Sequence, residues 1–86
     1  MKARDEMIER FARQNTQEFV IGIEAAQAAA GAADVSAAEM LGDARSIASE
    51  RIGTDDTPGG RRMWAAHFGA EVGVYHELSR RNEAAA

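Results

Sequence analysis

Residues 61–82, RRMWAAHFGAEVGVYHELSRRN, decide the fold. Turned at about 100° per residue, the stretch separates into arcs. Trp64, Phe68, Val72 and Tyr75 share one arc of large side chains. Ala65, Gly69 and Gly73 form a neighbouring arc of small ones, and Met63, Ala66, Ala70 and Val74 continue the apolar surface round the far side. Between Met63 and Tyr75 only His67 and Glu71 are polar. A helix that is apolar nearly all round is buried on more than one side. Two readings of the small arc follow. It receives the alanine-rich end of another helix of the same chain, where Gly22, Ala26 and Ala29 are also small, or a helix of a second molecule, and the two can hold together.

Upstream, residues 53–60, GTDDTPGG, read as a loop, with Thr57 placed to cap and Pro58 suited to a first helical position. Before it, Ser36-Ala37-Ala38-Glu39 is a capping box, with Val35 and Met40 at the positions of a hydrophobic staple. Met40, Leu41, Ala44, Ile47, Ala48 and Ile52 carry helical spacing from there to Gly53, a stop residue. At the start of the chain, Ile8, Phe11, Ala12, Phe19, Ile23, Ala26 and Ala30 lie on one stripe, and Gly31 ends the pattern. Asn15 falls within this stripe as its single polar member, a place where a polar side chain can fix register or oligomeric state.

The expected architecture is therefore all-α: a single domain over 1–86, built as a small three-helix bundle with helices at about 5–30, 37–52 and 59–82 and a frayed tail at 83–86. No strand-like alternation or internal repeat interrupts this pattern. The 86 residues include 19 alanines and only 20 larger hydrophobic side chains. So small a core predicts completion by self-association, as in a homodimer, or by a partner.

Composition narrows the chemistry. Without cysteine there is no disulfide, thiolate metal site or thiol nucleophile. The charged start, MKARDEMIER, lacks the apolar core of a signal peptide, and no run is long enough for a membrane span, which makes the cytoplasm the expected compartment. The alanine, glycine and arginine usage resembles that of bacterial or phage proteins with GC-rich genes. A net charge of −4 opposes a dedicated nucleic-acid surface, so no nucleic-acid partner is expected. Arg61-Arg62 and Arg80-Arg81 are the only basic doublets.

His67 and Glu71 have the four-residue spacing of two metal ligands, but His76 lies on the opposite side of the same helix, so no metal or other cofactor is expected. Ser36, Ser46, Ser49 and Ser79 read as a cap or as polar-face residues, none within a nucleophile elbow. Gly59-Gly60 before Arg61-Arg62 lacks phosphate-loop spacing. The expected function is non-enzymatic: a helical interaction module serving as adaptor, regulator or inhibitor of a larger protein. Its expected contact residues are Phe19, Val20 and Ile21 on the first helix and Trp64, Ala65, Phe68, Gly69, Gly73 and Tyr75 on the third. The alternative is a small DNA-binding regulator using the second and third helices, with Arg61 and Arg62 on phosphates.

Overall fold

The computed structural model describes residues 2–31 and 35–85. It contains four α-helices: α1 (Lys2–Gln14), α2 (Thr16–Ala29), α3 (Ala37–Ile52) and α4 (Arg61–Ala85). A single 3-10 turn, Pro58–Gly60, leads into α4. No strand occurs among the described residues.

α3 begins where the capping box places it. The Ser36 hydroxyl accepts from the Glu39 amide at 3.2 Å and donates to the Glu39 carboxylate at 3.2 Å. Val35 packs on the cluster that holds Met40. The helix ends at Gly53, whose φ of 71° is left-handed territory that glycine enters without a Cβ penalty. α4 outlasts its expected end near residue 82 and continues to Ala85, and Ala86 lies outside the described residues.

The expected single helix over 5–30 is two helices, which corrects the three-helix count to four. The break is one residue, Asn15, with φ −137° and ψ 58°. Helical bonding resumes on either side, Asn15 N–H to the Phe11 carbonyl and Phe19 N–H to the Asn15 carbonyl. At the break the Thr16 hydroxyl donates to the Ala12 carbonyl at 3.0 Å, which keeps a helix-end acceptor paired. The apolar stripe through Asn15 carries no sign of this corner, at which α1 packs on α4: Phe11 meets Phe68, ring edge to face, with centroids 5.2 Å apart.

Helix directions follow from which residues meet. Along α2 and α4 the meetings are Glu18 with Arg62, Gly22 with Ala66, Ala26 with Gly73 and Ala30 with Arg81, so these two run the same way. α3 runs against α4, with Arg45 at Glu71 and Ser49 at His67. α1 also runs against α4, with Arg4 at Glu71 and Gln14 beside Arg61. α1 and α3 flank α4 without touching each other through their backbones.

Among the described residues, eight of the twelve buried apolar ones are alanine: 25, 26, 29, 44, 48, 65, 66 and 70. Such a core gains its contacts by bringing backbones close rather than by interleaving large side chains. Gly22, Gly69 and Gly73 make that approach possible between α2 and α4, since a Cβ on Gly69 would stand 2.1 Å from the Phe19 carbonyl oxygen. Of the two readings of the small arc of α4, the intramolecular one is realised. One cluster joins Ala26, Ala29, Met40, Ala44, Ala70 and Val74, and a second joins Ala25, Ala48, Ile52 and Ala66.

Candidate interaction face on α4

Burial divides the nine expected contact residues. Ala65, Phe68, Gly69 and Gly73 lie inside the chain's own fold and do not reach its surface. Phe19 and Ile21 are half-buried, and Ile21 packs on the cluster of Ala25, Ala48, Ile52 and Ala66, so it serves the core. Three remain open to solvent: Val20 at 44% exposure, Trp64 at 53% and Tyr75 at 69%. Met7 of α1, absent from the expected set, is 37% exposed.

Trp64 and Tyr75 stand eleven residues apart on α4, three turns and about 16 Å along the axis, within about 20° of the same face. Trp64 leans on Phe68, with centroids 5.7 Å apart. Between the two aromatics lies Glu71. Arg4 of α1 donates to both of its carboxylate oxygens, at 2.8 and 2.6 Å, and Arg45 of α3 adds a third bond at 3.1 Å. These two ion pairs join the flanking helices across α4. The Arg4 guanidinium also sits 5.9 Å from the Phe68 ring centroid, a cation–π distance. Asp5 lines the same hollow as Arg4 and Glu71, so two arginines stand with two carboxylates and the middle of the face is a charged cluster near balance.

Shallow hollows line both edges of this strip. One of about 400 Å³ lies between Arg4, Ile8, Val72 and Tyr75, and one of about 240 Å³ between Met7, Phe11 and Trp64. On the α3 side, Leu41, Val74, Tyr75 and Leu78 border a mainly apolar hollow of about 340 Å³. The sequence shows Trp64 and Tyr75 as large residues on one arc, but Arg4, Met7 and Arg45 join them only through tertiary packing and carry no local signal.

His67 and Glu71 share the strip as their spacing requires, yet Glu71 is taken by arginines and His67 by Ser49, Oγ to Nε2 at 3.0 Å. Burial pushes the His67 imidazole below its usual range; the Arg45 charge acts in the same direction and Glu71 opposes it. No group of three or more potential metal ligands occurs among the described residues. The serine–histidine contact, missed in the sequence, has the distance of a nucleophile and base. It lacks a third group hydrogen-bonded to the ring among the described residues, and the amides around Ser49 are engaged in the α3 ladder, leaving no oxyanion donors there.

The start of α4 is likewise occupied. Asp55 accepts from the Met63 amide at 2.8 Å, the Thr57 amide at 2.9 Å and the Thr57 hydroxyl. The Thr57 hydroxyl bond, then the Met63 amide, hold its carboxyl below the ordinary value. An anion at this helix start would meet a resident carboxylate. Of the basic doublets, Arg62 is bonded to Glu18, Arg80 to Glu77 and Arg81 to the Ala30 carbonyl.

No helix among the described residues is long and apolar enough to cross a membrane. Comparison with family models, with curated proteins and with solved structures found no match.

Proposed function

We propose that this chain is a non-enzymatic helical interaction module of the cytoplasm that docks on a larger protein, as an adaptor, regulator or inhibitor, through the α4 face between Trp64 and Tyr75. One observation carries the reading: two exposed aromatic side chains stand on one helix face with the Arg4–Glu71–Arg45 group between them. Tryptophan, tyrosine and arginine are the residues that dominate binding energy at protein interfaces, and here they are set on a helix fixed by its tight contact with α2. Isolated exposed hydrophobic residues are ordinary, but Met7 beside Trp64 and Leu41 and Leu78 beside Tyr75 widen the two rings into two apolar patches on either side of the charged group.

The geometry favours a partner surface with two apolar contacts about 16 Å apart and polar groups between them that complement the charged cluster. The DNA-binding alternative draws no support from the arginine doublets, three of whose four members are bonded within the chain. The test is paired capture from an extract of the source cells, with the parent and the Trp64→Ala/Tyr75→Ala variant as baits. The reading expects a protein retained in stoichiometric amount by the parent and lost by a variant whose helical circular dichroism is unchanged. Equal retention by both baits, or none by either, refutes it.

A further inference from the structure

α1 is held differently from the other helices. Among its described side chains none is fully buried, and its backbone reaches α4 and the corner of α2 but not α3. Its seat on α4 is made by Phe68 and Glu71, which meet Phe11 and Arg4, with Ile8 and Val72 bordering the hollow beside them. A single residue, Asn15, separates it from α2, while the apolar stripe from Ile8 to Ala26 runs through that residue at unbroken helical spacing. Rotation at Asn15 therefore gives one continuous helix over residues 2–29 and empties the seat.

The segment that fits the seat is known, because α1 fills it within the chain. In the folded chain α1 runs against α4, and its Gln14 end lies beside Arg61 at the start of α4. α2 runs with α4, so a straightened α1 extends α2 backward, past that same end of the molecule. A second copy related by a two-fold axis at this end presents its α4 in the opposite direction. The straightened α1 then lies against that α4 in the orientation it has at home, again with Gln14 at Arg61. The Phe11–Phe68 and Arg4–Glu71 contacts are re-formed between chains.

We propose that the α4 seat is filled by α1 of a second copy of this chain in a reciprocal dimer, with Asn15 as the hinge. The exchange does not rest on partner docking: it restores the same contacts on α4, with Met7 and Arg4 of the face supplied by the second copy.

Two variants test it. The parent has no cysteine, so Ile8→Cys/Val72→Cys places one thiol on each side of the same hollow. The variant is refolded at high concentration and treated with a short bis-maleimide. Exchange predicts chains joined to each other and a dimer mass by light scattering that grows with concentration. Cross-links only within chains, whether the mass is that of a monomer or of a dimer, overturn the proposal. Asn15→Ala needs no thiol and favours helix continuity by about threefold per hinge, hence roughly tenfold in the dimer dissociation constant. A mass that stays monomeric in both the parent and Asn15→Ala also overturns it.

Discussion

A Cβ built on Gly22 of α2 would stand 2.0 Å from the carbonyl oxygen of Ala66 in α4 and 2.7 Å from the Ala70 nitrogen. Both neighbours are backbone, so neither can swing aside as a flexible side chain would. Gly22→Ala is predicted to lower stability by about 3 kcal/mol, at the upper end of overpacking costs, by forcing α2 and α4 apart. Urea unfolding measures this directly; a loss below about 0.5 kcal/mol, the ordinary size of a harmless surface change, would mean that the helices are not in backbone contact.

Gly42 is the internal control. It lies in α3, exposed, and a Cβ there meets nothing within 4 Å. Gly42→Ala should raise stability by about 0.5–1 kcal/mol through helix propensity and a less flexible unfolded chain. The same substitution at two helical glycines thus has opposite signs, and thermal unfolding of the pair reads both.

Phe68 is 4% exposed and touches both Phe11 and Trp64. Phe68→Ala is predicted to cost about 3–5 kcal/mol. Because Phe68 seats α1, hydrogen exchange in the variant should rise first in residues 3–14. Uniform acceleration along all four helices would contradict this placement of α1.

His67 gives a pH dependence of known sign. Burial holds its folded-state pKa below the ordinary 6.5, so the unfolded chain binds the proton more readily. Its contribution to stability is fully present above about pH 6.5 and falls as the pH drops toward the lower folded-state value. Unfolding free energies between pH 5 and 7.5 should show this slope, and His67→Gln should reduce it; an equal slope in the variant would place the proton elsewhere.

The legible parts of the fold were those with local causes. The Ser36 cap and the positive-φ Gly53 bound α3 at 37–52 because both act within a few residues. The Asn15 corner was masked by a continuous apolar stripe: Asn15 and Thr16 bond back to the preceding turn there, and Phe11 meets Phe68 more than fifty residues away. The candidate face divides the same way. Trp64 and Tyr75 could be placed on one arc by counting, and the small residues beside them could be read as a close-approach surface. Which molecule approached was undetermined until Gly22 was found against Ala66, and that contact moved Ala65, Gly69 and Gly73 from outer surface to core. The salt-bridged centre, Arg4–Glu71–Arg45, spans three helices and leaves no trace in spacing.

The most direct measurement uses the chain's one tryptophan. Protein made with fluorotryptophan gives a single fluorine resonance, from Trp64 at the edge of the proposed docking face. Titrated with the partner protein recovered by the parent bait, this resonance is predicted to shift and to saturate at one equivalent, with solvent exposure of the ring lost in the complex. A resonance unchanged in position and solvent exposure, in a complex whose formation is verified by mass, would contradict the assignment of binding to the Trp64–Tyr75 face.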